Sequence, residues 1–335
     1  MISLRPFALT AHAMLAGLLM PHLAANATPD RWKAEGWAKT DFSKTSIDFG
    51  DILSGGPPKD GIPSIDRPVF KPAKDDTELA ANAPVIGLEI NGDARAYPLR
   101  VLMWHEIVND TVGGKPVTVT YCPLCNAAIV FDRTVNGRIL DFGTTGKLRN
   151  SDLVMYDRQT ESWWQQFTGE AIVGAQLGTE LTIVPSRLES FAQFRARHPD
   201  GKVLIPANPA MRNYGRNPYV GYDSTARPFL YKGAMPKGIE PMARIIAVRD
   251  GGKPTAVSMQ LVREKKSYEI GPIMIAWQPG QASALDSSVI AKGRDVGTIT
   301  AQRKTADGRL VDVAYDVTFA FVFHAFHPEG RIILK

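Results

Sequence analysis

The feature that most constrains this chain is an internal repeat. The segment Ile86-Gly-Leu-Glu-Ile-Asn-Gly-Asp-Ala-Arg-Ala-Tyr97 is matched by Ile246-Ala-Val-Arg-Asp-Gly-Gly-Lys-Pro-Thr-Ala-Val257, an offset of 160 from Gly92 to Gly252. Tyr121-Cys-Pro-Leu-Cys-Asn-Ala-Ala-Ile129 aligns with Trp277-Gln-Pro-Gly-Gln-Ala-Ser-Ala-Leu285 at an offset of 156. Phe194-Arg-Ala-Arg-His-Pro-Asp-Gly-Lys-Val-Leu-Ile205 aligns with Phe323-His-Ala-Phe-His-Pro-Glu-Gly-Arg-Ile-Ile-Leu334 at an offset of 129. Three matches in the same order imply a duplicated unit, and two copies are too few for a solenoid. Most of the repeated stretches read as strand, Gly-containing turn, strand. The expected fold is therefore mainly β with a few short helices (α+β), built as two related β-rich lobes.

Five segments follow: 1–27 a signal peptide, 28–84 an extended Gly/Pro-rich arm, 85–210 a first lobe, 211–243 a connector, and 244–335 a second, degenerate lobe. The arm is too broken by Gly and Pro for a helix. Ile52, Leu53, Ile62, Ile65, Val69 and Phe70 suit it to wrapping the first lobe.

The repeat also separates scaffold from chemistry. Pro123 and Pro279 persist in both copies, whereas Cys122 and Cys125, the only 2 cysteines, become Gln278 and Gln281. A turn that stands without sulfur in one copy implies that sulfur serves reactivity in the other. A disulfide between them would close so small a ring that it would add roughly 2 kcal/mol at most. Pro116-Val-Thr-Val-Thr120 before the pair, and Ala128-Ile-Val-Phe-Asp-Arg133 after it, place the turn between strands. That favours a metal knuckle over the helix N-terminus that activates thioredoxin-type thiols.

The same comparison demotes His198 and His327, which precede Pro at equivalent positions and read as helix ends. His324 matches Arg195, so its i, i+3 spacing to His327 is a minor metal option. His105 has no counterpart in Val262-Arg-Glu-Lys-Lys-Ser267. The spacing of Leu99, Leu102, Met103 and Ile107 predicts a short amphipathic helix on which His105 and Asn109 share a face, with Glu106 alongside.

Further along, Asn136-Gly137 marks a hairpin. Trp163 and Trp164 alternate faces in an extended segment, which predicts one in the core and the other exposed or lining a site. Asp157 and Arg158 read as a surface ion pair.

Arg5, the apolar run Phe7 to Leu23 and Ala25-Asn26-Ala27 have the form of a cleaved export signal, so the periplasm is the expected compartment. Cleavage would take the formal charge from +5 to +4 by removing Arg5, too small and too dispersed an excess for nucleic-acid binding. No transmembrane candidate follows the signal.

Ser54-Gly-Gly-Pro-Pro-Lys-Asp-Gly-Ile-Pro63, Gly92-Asp-Ala-Arg-Ala-Tyr-Pro98, His105-Glu-Ile-Val-Asn-Asp110, Tyr121-Cys-Pro-Leu-Cys125, Phe131-Asp-Arg133 and Leu153-Val-Met-Tyr-Asp-Arg158 together resemble the bacterial domain-of-unknown-function family 3179. The resemblance spans Ser54 to about Ile205 and, more weakly, the second copy. It implies an exported protein and transfers no activity.

Three functions fit these residues. The leading one is a metal ion, copper or zinc, held by Cys122, Cys125 and His105, with Met103 or Met155 as a thioether donor. The second is a metal-free thiol–disulfide oxidoreductase in which Cys122 attacks, Cys125 resolves and Glu106 or His105 exchanges the proton. The third is a non-enzymatic module with a groove of Tyr121, Trp104 and Trp164 beside an inert disulfide. Trp104, Asn109 and Tyr121 are the candidates for contacting a bound group. The partner is a small ligand or a periplasmic redox or metal partner. No phosphate loop or catalytic triad is present, so no nucleotide cofactor is expected.

Overall fold

The computed structural model describes residues 29–249 and 253–335. The export segment, with Arg5 and the cleavage motif, and Gly252 of the first repeat match lie outside the described residues. Strands hold 39% of the chain and helices 15%, which makes the fold mainly β.

The N-terminal arm carries a short helix, α1 (Pro29–Ala34), and two strands, β1 (Ile52–Ser54) and β2 (Val69–Pro72). The first lobe begins with β3 (Pro84–Ile90), β4 (Asp93–Pro98), α2 (Leu99–His105), β5 (Ile107–Val112), β6 (Lys115–Cys122) and β7 (Ala127–Asp132). Six strands then intervene: β8 (Thr134–Val135), β9 (Arg138–Ile139), β10 (Phe142–Arg149), β11 (Asp152–Asp157), β12 (Trp163–Gln165) and β13 (Ala171–Val173). The lobe closes with β14 (Ile183–Val184), β15 (Arg187–Ser190), α3 (Phe191–Arg197) and β16 (Lys202–Ile205). After the connector come β17 (Arg244–Val248), β18 (Thr255–Ser258), α4 (Met259–Lys265), β19 (Ser267–Ile270), β20 (Ile273–Gln278), β21 (Thr298–Lys304), β22 (Leu310–Asp312), β23 (Tyr315–Phe319), α5 (Ala320–Phe326) and β24 (Arg331–Ile333).

The two lobes share their topology. One sheet runs β15-β3-β4-β16 in the first lobe and β23-β17-β18-β24 in the second, with only the last pair parallel in each. The other runs β14-β7-β6-β5 and β22-β21-β20-β19. Local chemistry repeats too. His198 and His327 cap α3 and α5 with nearly identical backbone angles, φ −132° and −135°. Gly201 and Gly330 then accept the close approach of Phe194 and Phe323, where an added Cβ would meet ring carbons at 2.9 and 2.7 Å.

The lobes differ in where chain is added. Between its third and fourth strands, the first lobe's four-stranded sheet carries residues 133–182, and these form most of the sheet β1-β10-β11-β12-β13. The second lobe has only residues 305–309 there. It instead lengthens the turn after β20 to residues 279–297, so the repeat match holds to Pro279 and breaks beyond it.

The arm packs along the first lobe. β1 pairs with β10 and β2 with β16, and Trp32, Trp37 and Phe42 pack on Trp163. Lys59 pairs with Glu161 and lies 4.4 Å from the Trp37 ring centre. This cover corrects one expectation: Trp163 and Trp164 do face opposite ways, but both are buried. Asp157 is likewise buried rather than on the surface, accepting from Thr160 and the Trp164 indole, while Arg158 pairs with Asp66. Asn136-Gly137 makes the expected tight turn, with φ of 49° and 75° between β8 and β9.

Candidate metal centre

β6 delivers Cys122 at its last residue, and the turn Pro123-Leu124 brings Cys125 back beneath it. The Cys125 amide donates to the Cys122 carbonyl at 3.2 Å, and Asn126 at φ 52° returns the chain to β7. The second lobe fixes this turn from behind. The Cys125 carbonyl accepts from Thr318 Oγ1 at 2.8 Å and the Phe319 amide at 3.3 Å, and Asn126 Nδ2 donates to the Val317 carbonyl at 2.9 Å.

The inserted hairpin supplies the opposite wall. Its tip, Asn150-Ser151, joins β10 to β11 with both residues at positive φ, 54° and 67°. The Ser151 carbonyl faces both sulfurs, 3.7 Å from Cys122 Sγ and 3.6 Å from Cys125 Sγ. Asp152 follows. One of its oxygens accepts from Gln165 Nε2 at 2.6 Å and the Phe167 amide at 2.8 Å. The other, Oδ1, is buried with no hydrogen-bond partner. A carboxylate oxygen and the two sulfurs lie within 4.8 Å of one another. They are the one such group of potential metal ligands among the described residues.

Glu106 adds a second carboxyl. It ends α2 at φ 57°, where a residue with a side chain is strained, and its carboxyl finds no hydrogen-bond partner among the described residues. Burial, then the charge of Asp152, pushes Glu106 up to about 8. Burial also pushes Asp152 up to about 6 and raises both thiols. The nearby Arg244 guanidinium is committed to Asp223 at 2.8 Å. Four acidic groups thus share a buried site without a free counter-cation among the described residues. Glu106 and the two thiols stay protonated near neutral pH unless a cation enters, while Asp152 is the first of the four to ionise.

The free thiols exclude a disulfide in this structure. His105 does not join them. Its Nδ1 meets the Pro63 carbonyl and its Nε2 the Tyr214 hydroxyl, both at 2.8 Å, so both ring nitrogens are occupied. The expected helix face shared with Asn109 does not form either, because α2 stops at His105 and Asn109 lies on β5. Asn109 is spent on structure, donating to Asp66 and the Phe142 carbonyl and accepting from the Phe142 amide. Tyr121 is buried with its hydroxyl unpartnered, and Trp104 on α2 likewise leaves its indole nitrogen unpartnered. Met103 and Met155 are core residues. In the second lobe, Gln281 accepts from Thr298 Oγ1 and belongs to no such cluster.

Asp152 and Ser151 are the site residues that sequence reading missed. A family model described as a protein of unknown function, DUF3179, matches residues 59–330. The chain belongs to the DUF3179 family. The matched span takes in the first lobe, the inserted hairpin, the connector and the second lobe up to α5, so every wall of the site lies within the DUF3179 unit. Searches of curated proteins and of solved structures found no match.

Proposed function

We propose that this DUF3179 protein holds a divalent metal ion, zinc, through Cys122, Cys125 and Asp152. The observation that carries the reading is the buried Asp152 Oδ1, which no nitrogen or oxygen donor reaches, beside two free thiols. A buried acceptor without a donor is costly, by roughly 1–3 kcal/mol, and persists where something else satisfies it. A dication would do so while drawing the protons off both sulfurs. Two thiolates and a carboxylate oxygen suit zinc better than cuprous copper, which prefers sulfur alone. Asp152 thereby takes the place first given to His105. Glu106 lies outside that cluster of three and acts on it through charge, coupled electrostatically to both Asp152 and Cys122.

The compartment fits this reading. After export into an oxidising space, an unprotected dithiol would close to a disulfide, and a bound metal prevents that. Exchange chemistry is less favoured, because both sulfurs are buried and an incoming thiol needs direct approach to one of them. The test is metal content and thiol count of the exported full chain, compared with Cys122→Ser and Asp152→Asn variants. The reading expects one zinc per chain, with thiols that alkylate only after chelation. A metal-free protein whose two thiols react freely would refute it.

A further inference from the structure

The repeat reaches further than the two lobes. Arg227-Pro228-Phe229-Leu230 in the connector matches Arg67-Pro68-Val69-Phe70 in the arm, at the same offset of 160 that relates Gly92 to Gly252. The backbone agrees. The Ala83 amide donates to the Ala80 carbonyl and the Ala83 carbonyl accepts from the Phe191 amide, just as Ala243 bonds to Glu240 and Ala320. The connector is thus the second lobe's own arm. The two arms part at one place. In the first lobe, β2 pairs antiparallel along the outer edge of β16, Val69 opposite Ile205 and Pro72 opposite Lys202, and makes a fifth strand. In the connector, Leu230 stands at φ 51°, which breaks an extended run, and the Phe229 carbonyl accepts from the Ser151 hydroxyl instead.

The edge that β2 covers in one lobe is therefore bare in the other. β24 pairs with β18 and has no strand on its far side among the described residues. Sheet edges are normally blunted by charge, proline or a covering segment. This one shows Ile332 and Ile333 half-buried and Leu334 37% exposed. At its end opens a groove of about 1360 Å³, lined by Leu334, Ile239, Met259, Arg263 and Lys266. Most of the groove's carboxylates are already engaged. Asp223 pairs with Arg244 and Arg294, Asp295 accepts from the Gly280, Gln281 and Gly297 amides, and Glu264 accepts from Gln260, which leaves Glu240. Arg263 and Lys266 lie 5.4 and 4.6 Å from the Trp277 ring centre, and neither forms an ion pair among the described residues.

We propose that the far edge of β24 is a docking site for an extended acidic peptide of a partner protein, added as a fifth strand in the way β2 is added to β16. On that template the incoming strand runs antiparallel, its four residues opposite Leu334, Ile333, Ile332 and Arg331. Main-chain hydrogen bonds supply the affinity, and side chains set the choice of partner. An apolar side chain of the peptide packs beside Leu334 and Ile239. A carboxylate next to it enters the groove and meets Arg263 and Lys266, the two cations that the chain itself leaves without a counter-charge. The lobe that lacks the thiols thus keeps a recognition surface of its own, separate from the metal centre.

The probe is a blocked hexapeptide, Glu-Val-Phe-Val-Glu-Thr, offered at millimolar concentration to the full chain. Amide hydrogen exchange at residues 331–334 should slow by about tenfold or more. The same peptide N-methylated at alternate residues cannot pair and should leave exchange unchanged. Replacing both Glu by Lys in the peptide, or Arg263→Ala/Lys266→Ala in the protein, should weaken binding about fivefold or more. Both side chains are exposed, so the variant should unfold at the wild-type temperature. Unchanged exchange with the acidic peptide would overturn the proposal, as would equal protection by the N-methylated or the Lys peptide. Protection without peptide would overturn it too. If it grows with protein concentration, a second copy is the occupant, and if it is already complete in dilute protein, the connector's Phe229–Lys232 has taken the edge.

Discussion

Glu106 and Lys266 are the same residue of the repeat with opposite fates. Each ends its lobe's first helix at positive φ, 57° and 67°. Each carbonyl accepts the amide of the residue just before the turn, Tyr121 at 2.8 Å and Trp277 at 2.9 Å. Yet the Glu106 carboxyl is buried by the thiols, whereas the Lys266 ammonium sits 4.6 Å from the Trp277 ring centre on the surface. The backbone device belongs to the scaffold, and only the first lobe turns it to chemistry.

Glu106 should therefore weaken the metal-free protein. Burial holds it protonated to about 8, against 4.5 for the free acid, so folding at pH 7 must protonate a group that the unfolded chain keeps ionised. Glu106→Gln removes that penalty, worth on the order of 2–3 kcal/mol. Chemical denaturation at pH 7 should show the variant more stable than wild type without metal, with the advantage shrinking or reversing once zinc is bound.

Arg187 and Asp312 join the lobes through two hydrogen bonds of 2.6 Å. Burial would raise the Asp312 carboxyl, but Arg187 outweighs it and the carboxyl is lowered from 3.8. A lowered acid stabilises the fold above the unfolded value and loses that contribution as pH falls through the folded one. Asp312→Asn should cost about 1–3 kcal/mol at pH 7. In thermal unfolding, the gap between variant and wild type should narrow steadily below about pH 4.

The arm's aromatic cluster should matter to stability and not to metal. Trp163 is fully buried among Trp32, Trp37 and Phe42. Trp163→Ala should lose about 3–5 kcal/mol on denaturation. At temperatures where it stays folded, its zinc stoichiometry should match wild type.

Sulfur alone should not make a second centre. Gln278→Cys/Gln281→Cys restores the thiols in the second lobe, but residues 305–309 replace the hairpin that brings Asp152. Zinc titration of that variant should still end at one tightly bound ion per chain. Two tight sites would show that the inserted hairpin is dispensable.

The same asymmetry explains what the sequence disclosed. Repeat matching exposed the lobes, the equivalence of His198 and His327, and the loss of sulfur at Gln278 and Gln281, because these depend on local pattern within one copy. The helix drawn through Asn109 failed because periodicity cannot register a single strained residue, Glu106, that stops α2. Asp152 was hidden because its partners are set by sheet pairing and lie far along the chain. The one local hint was Asn150-Ser151-Asp152, a turn without its usual glycine. His105 misled because its neighbours in space, Pro63 and Tyr214, come from the arm and the connector.

X-ray absorption at the zinc edge on the loaded full chain bears most directly on the central claim. The expected shell holds two sulfurs near 2.3 Å and oxygen near 2.0–2.2 Å, with typical zinc distances, and the oxygen contribution should fall in Asp152→Asn. A shell without sulfur, or one unchanged by Asp152→Asn, would contradict the assignment of Cys122, Cys125 and Asp152 as the metal's ligands.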